Sequence, residues 1–291
     1  MSKPSIKSVT TFLHHADTDE EGIIGAYEAF DDKGNSTLQE VFQNGELVQS
    51  TERDYDAKGQ MTEERIYSES EDPDQRLVYG DDANGRHELL EMHYAEGTSS
   101  YLKYTYDPAT REEKTVVVDE GGNQESAEEK TYDAEGDVVK SAQFDENGKL
   151  IMRTLIEKDE KGRVKSYTSV GDDGKEMIVV YKYEFDEAER VAAIDIESTT
   201  GTKLRSETFE YDEAGRMIAN HFEDFSNMRS GSNYIDYNEQ GQVVLRQSVD
   251  ADGKPTEETA TTYLENGLVA ELEIRTPLGV QVQRFEYELW A

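Results

Sequence analysis

The sequence predicts an all-β protein: an antiparallel meander of about 22 strands in a single twisted or coiled sheet, left open as a ribbon or trough. Three observations predict it. An aromatic-Asp-x-x-Gly element recurs every 25 to 27 residues, a second series of glycines lies between its copies, and the residues between turns alternate with period two.

The first series is clearest in Phe30-Asp31-Asp32-Lys33-Gly34, Tyr55-Asp56-Ala57-Lys58-Gly59, Tyr132-Asp133-Ala134-Glu135-Gly136 and Tyr211-Asp212-Glu213-Ala214-Gly215. Weaker copies end at Gly85, Gly162, Gly241 and Gly267. Two more keep the frame without glycine, Tyr106-Asp107 leading to Arg111 and Phe185-Asp186 leading to Glu189. The second series is Gly22, Gly45, Gly97, Gly122, Gly148, Gly174, Gly201, Gly253 and Gly279, offset from the first alternately by about 12 and about 14 residues where both glycines exist. Near 71 and 227 it loses its glycine to Asp72-Pro73 and Ser226-Asn227, which reads as altered turns because the flanking frame holds.

The chemistry of these turns is that of hairpins. Asp caps the turn through its side chain, and Gly takes the left-handed conformation that closes a type I turn with a bulge. Between turns, Val138, Lys140, Ala142 and Phe144 share one face while Val139, Ser141 and Gln143 share the other. Leu150, Met152, Thr154 and Ile156 oppose Ile151, Arg153 and Leu155 in the same way. No stretch keeps a helical period. Strands of ~8 residues are ~26 Å long, and a sheet of this size is expected to coil because strands twist.

The chain reads as one continuous repeat domain over residues 1–291, with a capping strand in 1–21 and another in 280–291. The aromatic before each turn aspartate falls at the same place in alternate strands. Phe30, Tyr55, Tyr106, Tyr132, Phe185, Tyr211, Tyr237 and Tyr263 are therefore expected to form a structural ladder near one edge, packing on diagonal neighbours.

Bulk composition agrees with an extended repeat. Hydrophobic residues make up 35% and charged residues 33%, poor in core formers for a compact globule, while 17 Tyr and 9 Phe exceed what a solvating tail carries. The net charge of -35 repels phosphate and anionic lipid, so nucleic acid and membrane are not expected partners; a protein with a basic surface is. With no cysteine, thiol catalysis, disulfides and Cys-ligated metals are excluded. The N-terminal residues show no apolar signal core and no segment is apolar for the ~20 residues that span a bilayer, so a cytoplasmic location is expected, with export by a dedicated machine left open.

Tyr211-Asp212-Glu213-Ala214-Gly215-Arg216-Met217 resembles the repeat of RHS/YD-repeat proteins, and its recurrence carries the resemblance over most of residues 22–285. The resemblance implies a long spiralling β-sheet that encloses a toxin or presents a surface to partners, in a bacterial setting. The chain departs from that family in its longer period and in the lack of a separate toxin-like C-terminal domain. Asp107-Pro108-Ala109-Thr110 also lacks the glycine of the autoproteolytic Asp-Pro-x-Gly element. Shorter MORN-like hairpin repeats are a looser similarity.

Motifs for chemistry are sparse. His14 and His15 are neighbours that point to opposite faces of a strand, and His87 and His93 stand ~20 Å apart along an extended one, too far to share a metal. His221 stands apart from the other four. No phosphate loop, HExxH or G-x-S-x-G occurs. No catalytic residue, metal site or cofactor is expected. The one segment singled out for binding runs from Glu63 to Glu96, with eleven acids against Arg65, Arg76 and Arg86. Its candidates are Glu63, Glu64, Glu69, Glu71, Asp72, Asp74, Asp81 and Asp82, around the altered turn; a solvated acidic edge is the plain alternative. The expected function is a non-catalytic protein-binding scaffold, within a bacterial toxin, effector or immunity system. A structural protein assembling edge-to-edge or end-to-end into a filament or surface layer is the alternative, because open sheets leave terminal strands unpaired. An enzyme on an extended polymer ranks last.

Overall fold

A computed structural model describes residues 5–15, 22–68, 71–81 and 87–290. The elements are β1 (Ile6–His15), β2 (Ile23–Phe30), β3 (Ser36–Gln43), β4 (Glu46–Tyr55), β5 (Met61–Tyr67), β6 (Gln75–Asp81), β7 (His87–Tyr94) and β8 (Ser99–Asp107). They continue as β9 (Glu112–Asp119), β10 (Gln124–Tyr132), β11 (Val138–Phe144), β12 (Leu150–Lys158), β13 (Val164–Gly171), β14 (Glu176–Phe185) and β15 (Val191–Ser198). The last seven are β16 (Lys203–Tyr211), β17 (Met217–Asp224), β18 (Arg229–Tyr237), β19 (Val243–Asp250), β20 (Pro255–Tyr263), β21 (Val269–Thr276) and β22 (Gly279–Leu289). All belong to one 22-stranded sheet, the strand number the turn spacing predicts.

One expectation is overturned. β1 pairs not only with β2 but with β22, in a register that runs from Ile6↔Leu289 through Thr10↔Glu286 to His15↔Gln281. The sheet therefore closes into a β-barrel and is neither an open ribbon nor a trough. Ion pairing seals the seam, where Lys7 Nζ lies 3.0 Å from Glu288 Oε2, and the Trp290 amide donates to the Ser5 carbonyl. Closure satisfies the terminal strands, whose unpaired N–H and C=O groups would otherwise invite another chain. It also removes the free first and last strands on which edge-to-edge assembly was argued.

By its contacts the chain divides into two compact units. One comprises Met1–Gly34, Val41–Glu46 and Val180–Ala291; the other comprises Asn35–Glu40 and Leu47–Val179. In the first, antiparallel pairing runs unbroken from β15 to β22 and on through β1 to β2. In the second it runs unbroken from β4 to β13.

The turns follow the predicted chemistry. In Asp212 to Gly215 the glycine amide donates to the Asp212 carbonyl at 3.0 Å, and Gly215 sits at φ +81. Oδ1 of the turn aspartate accepts backbone amides two and four residues on, as Asp159 does from Lys161 and Arg163. The two copies without glycine hold the same left-handed position with a side chain, Arg111 at φ +57 and Glu189 at φ +60. The altered turn near 227 does so with Met228, at φ +50. A bulge accompanies the aromatic at each of Tyr55, Tyr132, Tyr211, Tyr237 and Tyr263. The extra residue increases local twist.

Little of the sheet is deeply buried. The core side chains are small or branched: Val118, Ala127, Ala142, Val179, Ala219, Ile235 and Val282, with Ser8 and Thr51. Cohesion rests on the backbone ladder and on half-buried cross-strand pairs, which suits a chain of such low apolar content. Charge occupies both alternations of the strands. β10 carries Glu128 and Lys130 on one face and Glu125 and Glu129 on the other, and β16 carries Lys203, Arg205 and Glu207 opposite Glu210. Neither strand offers the apolar band that lipid contact requires. Among the described residues no helix is long and apolar enough to cross a membrane.

Candidate functional site

The ladder residues end their strands: Phe30 closes β2, Tyr55 β4, Tyr132 β10, Phe185 β14, Tyr211 β16, Tyr237 β18 and Tyr263 β20, while Tyr106 is the penultimate residue of β8. Several share one tie. The hydroxyl of Tyr55 donates to the Ser36 carbonyl at 2.7 Å, and those of Tyr211, Tyr237 and Tyr263 donate to Val191, Met217 and Val243 at 2.8, 2.9 and 2.7 Å. Each acceptor is the first residue of the preceding strand, just past the previous turn on the same edge. Tyr287 makes the same bond to Val269 at 2.9 Å. It falls outside the predicted ladder because the first series of turns, which places the ladder, ends at Gly267.

An arginine reinforces two of these ties. Arg190 follows the left-handed Glu189, reaches back to Asp186 with Nε at 2.6 Å, and places its guanidinium 4.6 Å from the centre of the Tyr211 ring. Arg216 does the same with Asp212 at 2.7 Å and the Tyr237 ring at 4.5 Å. At residue 158 a lysine takes the aromatic position, and its ammonium bridges Asp133 and Asp137 of the previous turn, each at 2.5 Å. The contact between one turn and the ladder position of the next repeat thus persists while its chemistry varies.

The repeat departs from this rule at β8, β9 and β10. The turn from Asp107 is one residue longer, so its left-handed residue is Arg111, whose amide donates to the Asp107 carbonyl at 2.7 Å. The Arg111 carbonyl accepts from the Tyr132 amide at 3.0 Å. A cavity of about 620 Å³ opens there, walled by Tyr104, Tyr106 and Tyr132 with Arg111 and Glu113. The Tyr106 and Tyr132 ring centres are 6.4 Å apart and tilted by 59°. Burial, with the Glu113 carboxylate beside it, holds the Tyr132 hydroxyl above the usual phenol range; burial alone is the main cause at Tyr104. An apolar-walled pocket with a few convergent polar groups is the common form of a binding site.

The acidic segment singled out from the sequence is only partly brought together. Glu63 and Glu64 lie in β5, and Glu63 accepts Arg76 Nε at 2.7 Å and pairs with Arg65 at 3.0 Å. The Arg76 hydrogen bond leads in holding its carboxyl at about 2. Glu64 accepts Arg53 Nε at 2.6 Å, and the same guanidinium reaches Ser36 Oγ and Gln39 Oε1 at 3.2 and 3.3 Å. Asp74 shapes the altered turn: its carboxylate accepts the Ser68 amide at 2.6 Å while its own amide donates to the Ile66 carbonyl. Asp81 accepts Gln60 Nε2 at 3.1 Å. Glu71 and Asp72 are exposed, and Glu69 and Asp82 lie outside the described residues.

Two histidines sit between a hydroxyl and a carboxylate. His221 is 2.7 Å from Ser232 Oγ and 3.2 Å from Glu210 Oε1; His93 is 3.0 Å from Ser99 Oγ and 3.2 Å from Glu91 Oε2. Each serine faces its histidine across an antiparallel pair. Nucleophilic catalysis also needs free donors aimed at a developing oxyanion, and the main chain around Ser232 is committed to ladders on both sides of β18. These are cross-strand polar pairs. Among the described residues, no group of three or more His, Asp or Glu could hold a metal ion.

No family model matches the chain, and no curated protein does. Solved structures overlap it at low similarity. The TcdB2-TccC3-Cdc42 crystal structure shares 14% identity at a TM-score of 0.35, covering 88% of this chain and 16% of that one. The Tc holotoxin pore of Photorhabdus luminescens gives the same identity and TM-score over 91% of this chain and 16% of that one. A porin-like protein from Bacteroides uniformis shares 9% identity at a TM-score of 0.32 over 98% of each chain. The chain spans under a fifth of the two Tc chains, and at these TM-scores the overlaps carry no argument.

Proposed function

We propose that this β-repeat protein is a non-catalytic scaffold that binds a protein with a basic surface. The observation that carries this reading is a net charge of -35 on a sheet whose terminal strands are paired to each other. With no terminal strand free for β-augmentation, recognition falls to side chains on the faces and rims, where such a field steers cationic partners and repels anionic ones. Exposed Glu71 and Asp72 at the altered turn belong to that surface. The recurring Tyr-Asp-x-x-Gly motif, similar to RHS/YD repeats, supports a place in a bacterial toxin, effector or immunity system, and the location we propose is the cytoplasm.

Affinity capture from the native host at low ionic strength tests the reading. Basic proteins retained on the chain and released by added salt are expected, since interactions between exposed charges are screened. A column that retains none, or retains partners indifferent to salt, would overturn it.

A further inference from the structure

Across the repeats, the guanidinium of one turn stacks on the ladder tyrosine of the next, as Arg190 does on Tyr211 and Arg216 on Tyr237. Arg111 stands at the matching place, with its carbonyl bonded to the Tyr132 amide. Yet Arg111 itself occupies the left-handed position, at φ +57, whereas Arg190 and Arg216 each follow it. The backbone of the longer turn therefore aims this side chain differently, and among the described residues no arginine stacks on Tyr132. A cavity of about 620 Å³ stands there instead.

We propose that this cavity receives an arginine side chain from the basic partner, so that an external guanidinium takes the place an internal one fills at Tyr211 and Tyr237. This rests on the protein-binding reading and names the chemistry recognised. The Tyr104 and Tyr132 rings offer the negative faces that attract cations. Glu113 stands beside the Tyr132 hydroxyl, and Glu135 also lines the cavity. Asp133, also at the wall, is already engaged by Lys158. Arg111 is the one cationic side chain among the lining residues, which also include Glu113 and Glu135. A planar guanidinium is favoured over an ammonium because it stacks on a ring face while donating to a carboxylate.

The experiment titrates the full chain at low ionic strength with a short peptide carrying one arginine between glycines, against matched peptides with lysine and with citrulline. The arginine peptide should bind, lysine more weakly, and the uncharged citrulline isostere not measurably. Tyr132→Ala and Glu113→Gln should each weaken arginine binding by about fivefold or more, as expected for loss of a desolvated cation–π contact or a charged acceptor. Tyr132→Phe, which keeps the ring, should retain it and covers the case in which the alanine variant fails to fold. Arg111→Gly should bind as well or more tightly, because it removes the like charge. Equal binding of citrulline, indifference to Glu113→Gln, or no binding by the wild-type chain would each overturn the inference. If such a result comes with salt-sensitive capture of a basic protein, the scaffold reading stands and only the pocket falls.

Discussion

The Tyr211 hydroxyl donates a 2.8 Å hydrogen bond to the carbonyl of Val191, the first residue of the neighbouring strand. With its counterparts at Tyr55, Tyr237, Tyr263 and Tyr287, it ties each turn on that edge to the one before. Tyr211→Phe keeps the ring under Arg190 and removes only this bond. A loss of about 0.5–1.5 kcal/mol is expected, read from the denaturant midpoint at constant m. A variant as stable as the wild type would mean that the ring alone does the tying.

The left-handed turn position gives a reciprocal pair. Glu189→Gly should stabilise by roughly 0.5–1 kcal/mol, because a side chain now occupies a conformation that glycine adopts without steric cost. Gly215→Ala should destabilise by roughly 1 kcal/mol through its φ of +81 alone, since a Cβ there meets nothing nearer than Arg190 Nη1 at 3.6 Å. Thermal unfolding of the two variants checks the opposite signs.

Gly231 in β18 is a different case. A Cβ there would lie 2.4 Å from the Val249 carbonyl and 3.2 Å from the Phe222 ring. Gly231→Ala should cost about 1–3 kcal/mol through forced backbone displacement, well above the Gly215 variant. Equal losses at the two sites would contradict the packing described for β17, β18 and β19.

Acid should act only well below neutrality. The carboxyls of Asp159 and Glu63 are held at about 2 by Arg163 and Arg76, below their unfolded values of ~4. The stability they contribute is complete above that unfolded value and is lost as pH falls through about 2. Stability should therefore hold from pH 7 to about pH 5 and fall below about pH 4. Unfolding midpoints across this range test the shape, and Asp159→Asn, which keeps the turn cap as Asn238 does naturally, should soften only the acid limb. A loss of stability already under way between pH 7 and 5 would contradict this.

Much of this was legible in the sequence because turns announce themselves. The frame placed left-handed residues at Arg111 and Glu189 with no glycine to mark them, and both are there. The strand number and the alternation of β12 followed from the same spacing and period. Closure was not legible. The pairing of β1 with β22 joins residues such as Lys7 and Glu288, 281 apart in the chain, and no local turn signals it. The acidic cluster misled in part because sequence counts charges and not their partners: Arg76 and Arg53 engage Glu63 and Glu64. The cavity at Tyr132 had a faint signal, the extra residue between Asp107 and its left-handed Arg111. Only the stacking of Arg190 and Arg216 gives that insertion a meaning.

Closure of the sheet can be tested by cross-linking, because the chain has no cysteine of its own. Thr10 and Glu286 face each other across β1 and β22, whereas Glu271 lies one strand further, in β21. Thr10→Cys with Glu286→Cys should oxidise to an intramolecular disulfide in the monomer, and Thr10→Cys with Glu271→Cys should not, since strands two apart exceed the span of a disulfide. Free thiols or intermolecular dimers from the first pair would show an open sheet and contradict the barrel.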